Sequence, residues 1–148
     1  MVFVGGGEDF DAITALADKY ELHDECIFTG PIRNRETLRA FYSRADLFLF
    51  PSTFDTSGLA VLEAAACGLA SLLTCGSAAA EPATDGKNAV LIDEDADSLA
   101  RAVIELLKNR EYLKELGSRA ADDLYVPWEV AVTRACERYG EILYEKTR

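Results

Sequence analysis

The sequence predicts an α/β fold, a Rossmann-like parallel sheet with helices on both faces, and three observations carry that prediction. Short apolar runs alternate with segments of helical periodicity along the whole chain, which is the pattern of strands joined by crossover helices. The runs 46–50 and 69–74 are largely apolar and lack a strict polar alternation, as buried strands do. Between them lies a strand–loop–helix unit, Pro51 to Ala70, closed by Cys67-Gly68. Parallel strands need long right-handed crossovers, and the helical segments supply them.

Composition limits what such a domain can do. A chain of 148 residues with 49% hydrophobic content fits one domain, 1–148, with a real core. Its net charge of −11 argues against binding nucleic acid or an anionic membrane through bulk electrostatics. A small anionic ligand stays open, because backbone N–H groups bind phosphate locally. No apolar run reaches the length of a transmembrane segment, and no signal peptide is visible. Cys26, Cys67, Cys75 and Cys136 lack metal-site spacing and read as reduced core thiols of a cytoplasmic protein. His23 is the single histidine, which leaves a zinc site or a Ser-His-Asp triad little to work with.

Taken in order, Val2-Phe3-Val4 is a strand that runs into Gly5-Gly6-Gly7. The glycines allow a tight turn or close approach to a ligand, and both readings stand on these residues alone. A dinucleotide fingerprint read from Gly5 fails at its third glycine, where Phe10 stands. Glu8 to Tyr20 reads as a helix with Ile13, Leu16 and Ala17 as its apolar stripe. Cys26 to Thr29 is a strand ending in Gly30-Pro31-Ile32, and Thr37 to Ser43 is a short helix with Leu38 and Phe41 inward. Arg33 and Arg35 form a basic pair beside that turn, where a solvated surface is the ordinary reading.

Asp46 to Phe50 is the next strand, and Pro51, which has no N–H for a ladder, ends it. Gly58 opens an alanine-rich helix, and Gly68 falls where a left-handed C-cap belongs. The unit therefore puts free backbone N–H groups at a helix N-terminus, beyond the carboxyl end of a buried strand, where open α/β sheets bind phosphate. Leu69 to Thr74 is a second buried strand. Asp85-Gly86-Lys87-Asn88 is a turn in which Gly and Asn tolerate positive φ, and Ala89 to Ile92 is the last strand. Helices follow over 98–108, 111–124 and from Trp128 onward. Asp9-x-Asp11 and Asp93-x-Asp95-x-Asp97 have the spacing of a metal clamp, but both lie at helix starts and read as solvated caps, so no metal site is assigned.

The central block resembles a known motif. Retaining glycosyltransferases of family 4, built from two Rossmann-like domains in the GT-B architecture, carry Pro-Ser-x-x-Glu-x-Phe-Gly-[Leu/Ile]-x-x-x-Glu-Ala. Pro51, Ser52, Gly58, Leu59, Glu63 and Ala64 match it, Asp55 stands for the first glutamate, and Ser57 stands for the phenylalanine. Leu38, Tyr42, Ala45 and Asp46 fall in register with a second family segment, and Trp128-Glu129 resembles a third. The resemblance covers nearly the whole chain and implies the C-terminal, donor-binding half of a GT-B enzyme. It implies too that an N-terminal acceptor domain and a first βα unit with basic residues are missing, so that the chain is a fragment and inactive alone.

By that resemblance, Asp55 and Glu63 are the catalytic-site carboxylates. Asp55 would hold hydroxyls of the transferred sugar, and Glu63 would accept hydrogen bonds from the ribose. Donor binding would fall to Gly5, Gly7, Ile32, Ser57, Gly58, Leu59 and Glu63, with Ile32 near the nucleobase and Ser57 to Leu59 on the diphosphate. The residues also admit a plainer reading, with Asp55 as an acid at a helix N-terminus or in an Asx-turn and Glu63 as a surface glutamate. Trp128 reads as packing. The implied reaction is transfer from a UDP-, GDP- or ADP-sugar, with no cofactor and no metal, to an acceptor glycan or lipid held by the missing domain. It would take place in the cytoplasm, peripheral to the inner membrane face through that domain. The alternative is a non-catalytic nucleotide-sugar-binding module or a degenerate glycosyltransferase fragment.

Overall fold

A computed structural model describes residues 1–146; residues 147 and 148 of the expected 1–148 domain lie outside the described residues. The chain groups into two compact units, 1–41 and 42–148.

In the first unit, β1 (Val2–Phe3) pairs in parallel with β2 (Ile27–Phe28), Val2 opposite Ile27 and Phe3 opposite Phe28. The Phe3 and Phe28 rings stack at 4.7 Å between centroids, and Phe10 meets Phe28 edge-on at 6.0 Å. Between the strands runs α1 (Phe10–Lys19). Of its expected stripe only Ala17 is buried; Ile13 and Leu16 are exposed. Two strands of two residues each offer too little surface to cover a whole helix face. A 3-10 turn over His23–Glu25 precedes β2.

The helix α2 (Arg35–Arg44) carries the chain into the second unit and is longer than the expected 37–43. There β3 (Phe48–Phe50), β4 (Ser71–Thr74) and β5 (Val90–Ile92) form a parallel sheet in that order, with Leu49 opposite Leu72 and Leu73 opposite Leu91. The helices are α3 (Leu59–Ala66), α4 (Ala96–Lys108), α5 (Arg110–Asp123) and α6 (Trp128–Lys146). Strand side chains alternate between two cores, as the period of 2 requires. Leu72 and Ile92 join Leu106, Leu113 and Leu116 of α4 and α5 on one face. Leu73, one residue on, joins Val61 of α3 with Ala79, Ala80 and Ala89 on the other. Every residue from Leu69 to Thr74 is buried, Ser71 and Thr74 included, as expected of a buried strand.

Some expectations are corrected here. The segment 75–82 contains a 3-10 turn over Ala78–Ala80, capped by the Ser77 side chain. Gly86 takes the positive φ of its turn, but Asn88 does not. Asn88 is buried instead, its Oδ1 accepting from Thr84 N–H at 2.7 Å and its Nδ2 donating to Asp123 at 3.2 Å. The cysteines are not core thiols: Cys75 and Cys136 are exposed, and Cys26 and Cys67 are half-buried. Trp128, expected to pack, is 78% exposed, and no residue of α6 is buried. Among the described residues no helix is long and apolar enough to cross a membrane.

Candidate active site

The candidate site in the second unit is built where β3 hands over to α3. Pro51 ends the strand, and the chain turns through an exposed loop in which Phe54 is 95% accessible. Asp55 then folds back onto the backbone. Its Oδ1 accepts from Ser57 N–H at 2.8 Å and from Gly58 N–H at a shorter distance. These bonds, Gly58 first and Ser57 second, hold the Asp55 carboxyl below the usual carboxylate range. Asp55 thus makes the Asx-turn contact open to it from sequence.

Gly58 is the N-cap of α3, in the left-handed region at φ +59°. It has no β-carbon because there is no room for one: a methyl group there would stand 3.0 Å from Ala79 Cα and 3.1 Å from Ala79 Cβ. The Gly58 carbonyl accepts from Val61 and Leu62 N–H at 2.8 and 3.1 Å. A helix leaves its first N–H groups without intrahelical partners. Here Asp55 takes those of Ser57 and Gly58, and the Leu59 and Ala60 N–H groups carry no hydrogen bond to the described residues. They stand at the positive end of α3.

Glu63 lies one turn along from Leu59. Residues four apart share a helix face, so exposed Leu59 and half-buried Glu63 form one edge of α3, while Val61, Ala64 and Ala65 face the core. A helical Cα–Cβ bond tilts toward the N-terminus, so Glu63 leans toward the end that Asp55 caps. Tyr42, in the last turn of α2, lies within electrostatic reach of the Glu63 carboxylate. Burial first, then the negative charge of nearby Glu63, push the Tyr42 phenol up to about 12. Sequence reading set Tyr42 only in register with a family segment; the signal available was a tyrosine just ahead of a buried strand.

The first unit holds Gly5, Gly7 and Ile32. Gly5, at φ +141°, donates its N–H to the Gly30 carbonyl at 3.0 Å, and a β-carbon on Gly6 would stand 3.3 Å from Pro31. The glycine loop and the Gly30–Ile32 turn therefore lie together at the carboxyl ends of β1 and β2, with Gly7 exposed and Ile32 half-buried. The Asp-x-Asp pairs sit at helix starts. Asp95 caps α4 by accepting from Ser98 N–H at 2.7 Å, whereas Asp9 occupies the N-cap of α1 without a side-chain cap bond. Among the described residues no three acids, histidines or cysteines gather into a metal-binding group.

Parallel strands, helices on both sheet faces and a helix N-terminus beyond β3 define the Rossmann-like half of the GT-B glycosyltransferase fold. The chain superposes on sucrose-phosphate synthase from Thermosynechococcus elongatus with a TM-score of 0.85 at 25% identity, covering 97% of this chain and 38% of that one. It superposes on HepE from Anabaena with a TM-score of 0.75 at 19% identity, over 97% of this chain and 40% of that one, a likeness of fold. Residues 1–123 match the family of glycosyl transferases group 1, and the chain belongs to that family. It is 29% identical over 149 aligned positions to N-acetyl-alpha-D-glucosaminyl L-malate synthase of Bacillus anthracis, spanning all of this chain and 38% of that protein.

Proposed function

We propose that this chain binds a nucleotide diphosphosugar and forms the donor half of a retaining sugar transferase of family 4. An N-terminal acceptor domain would complete the enzyme and present a glycan or lipid hydroxyl at the cytoplasmic membrane face. One observation carries the reading: the motif carboxylates are arranged about one helix N-terminus, Asp55 across its first N–H groups and Glu63 on the face of Leu59. HepE, which shares the fold, has been crystallised with UDP and with UDP-glucose, which supports a nucleotide-sugar donor here.

In this reading the anomeric C–O bond to the diphosphate breaks, and the electron pair leaves on the phosphate oxygen. The acceptor oxygen forms the new bond and gives up its proton to that phosphate oxygen. The N–H groups of Leu59, and of Ser57 and Gly58 once released by Asp55, meet the growing charge together with the dipole of α3, and the reaction needs no metal. Glu63 accepts from the ribose hydroxyls, and Asp55 holds hydroxyls of the sugar. For the first unit, the reading gives Gly5 and Gly7 close backbone approach to the donor and Ile32 contact with the base.

The test is thermal unfolding of the chain with UDP, GDP, ADP and their sugar conjugates, beside Glu63→Ala. A nucleotide at ten times its Kd stabilises the folded chain by about 1.4 kcal/mol, a rise of a few degrees, and Glu63→Ala removes it. Cooperative melting with no response to any of these ligands would overturn donor binding by this chain. A non-catalytic binding module is the second reading, favoured by the hold of Asp55 on Ser57 and Gly58. Such a module binds nucleotide but turns over no donor when an acceptor domain is supplied.

A further inference from the structure

We propose a second binding site, on the face of the sheet turned away from α3: a cleft at the carboxyl ends of β3, β4 and β5 that takes one uncharged sugar ring, anchored on the Thr74 hydroxyl. It goes beyond the reading of Asp55 and Glu63 and does not depend on it. Strand side chains alternate between faces. Leu72 and Ile92 belong to the core under α4 and α5. Thr74, two residues after Leu72 and opposite Ile92, ends β4 on that same face. Thr74 is 2% exposed, and its Oγ1 makes no hydrogen bond with any described residue. A buried hydroxyl without a partner destabilises a fold, and valine would fill the same space without a polar atom. Packing alone therefore does not account for a threonine here.

Thr74 lines a cleft of about 220 Å³ with Pro51, Ile92 and Leu99 as apolar surface and Asp93 and Glu94 exposed at its edge. None of the lining residues is basic, so an anion is repelled. The Ala96 N–H, first of α4, makes no hydrogen bond to the described residues, so a cation meets the positive end of that helix. Asp95 is already committed, its Oδ1 accepting from Ser98 N–H at 2.7 Å. What remains is a donor, two carboxylate acceptors and a hydroxyl that does both, set around apolar surface. Ligand hydroxyls answer all of these, since each donates and accepts, and the C–H face of a ring covers the apolar part. The volume is below the roughly 300–1,000 Å³ of pockets for drug-sized ligands, which limits the occupant to a single ring. Thr53 Oγ1 donates to Glu94 at 3.3 Å, a long exposed bond that joins the loops after β3 and β5. A ligand reaches the Thr74 hydroxyl by parting that pair.

The experiment follows the backbone amide NMR signals of the whole chain during titration with the methyl glycosides of glucose, galactose, mannose and N-acetylglucosamine. Putrescine and inorganic phosphate are titrated beside them. The expected result is that at least one glycoside moves the Thr74 and Ala96 amides saturably and leaves Ser57 to Glu63 unmoved. Thr74→Val should weaken its Kd about three- to tenfold, the worth of one neutral hydrogen bond, and melt no lower than the unaltered chain. Asp93→Ala, a change at an exposed position, should weaken the Kd as well. Ser71→Ala removes the other unpartnered hydroxyl of β4, on the opposite face, and should leave the Kd unchanged. No response of these amides to any glycoside, or a response to putrescine or phosphate alone, would overturn the proposal. An unchanged Kd in Thr74→Val or Asp93→Ala would do so too. A Thr74→Val chain that melts lower would make the hydroxyl a structural group and overturn it equally.

Discussion

Gly117 and Gly68 meet backbone to backbone: a β-carbon on Gly117 would stand 2.0 Å from the Gly68 carbonyl oxygen and 2.8 Å from its carbonyl carbon. Gly68 ends α3 at φ +69°, so α5 seats its one glycine on the C-terminal turn of the helix that carries Glu63. The obstructing atoms are main chain and cannot rotate away. Gly117→Ala is expected to cost about 2–3 kcal/mol and to lower Tm by several degrees. Gly140, in α6, meets nothing within 4 Å, so Gly140→Ala should stabilise by roughly 0.5–1 kcal/mol through helix propensity alone. Melting curves that shift alike for both substitutions would contradict the close seating of α5.

Gly58 raises a similar question with a different answer. Alanine there meets two penalties, a left-handed φ of +59° and the Ala79 methyl group at 3.1 Å. The first alone is worth roughly 1–2 kcal/mol. Ala79→Gly relieves the contact with the methyl group but leaves the 3.0 Å approach to the Ala79 Cα and the left-handed φ. Gly58→Ala should therefore lower Tm, and in the Gly58→Ala/Ala79→Gly pair the loss should be less than additive. Strict additivity would show that the Ala79 methyl group does not press on the start of α3.

Asn88 joins three segments. Its side chain satisfies the Thr84 N–H and holds Asp123, which is also paired with Lys87 at 2.8 Å. Asn88→Ala leaves the Thr84 donor without that partner, at a cost of about 1–3 kcal/mol, read from chemical denaturation.

Lys87 first, and Asn88 second, hold the Asp123 carboxyl below its ordinary value of 3.8. A carboxyl with a depressed folded pKa contributes stability above its unfolded value and loses it as pH falls through the folded one. Stability should drop on acidification below about pH 4, and Asp123→Asn should flatten that limb while leaving the neutral region lower. An identical acid limb in the variant would remove Asp123 from the account.

Asp55 can be followed directly at the atoms it binds. The amide protons of Ser57 and Gly58 should titrate together, with a midpoint below the ordinary 3.8, and Asp55→Ala should abolish the titration and speed exchange at both amides. A midpoint at or above the ordinary value would mean that the carboxylate does not cap α3 in solution.

Much of this protein is written in local sequence. Short, largely apolar runs place β3 and β4, Gly68 stops α3, and Asp95 starts α4, because strand burial, left-handed caps and N-caps depend on one or a few neighbouring residues. The motif from Pro51 to Ala64 named the family and gathered Asp55, Ser57, Gly58, Leu59 and Glu63 on one unit. What local sequence left undecided depends on partners distant in the chain. The exposure of Ile13, Leu16 and Trp128 follows from how much surface stands opposite each helix, which periodicity does not encode. Asn88 looked like a turn residue, and its burial rests on Asp123, thirty-five positions away. Gly117 meets Gly68 only because the fold brings α3 and α5 together. Sequence proposed which groups the candidate site contains; tertiary structure decided what surrounds them, since a hydrogen bond or a close approach between distant residues exists only once the chain between them has folded.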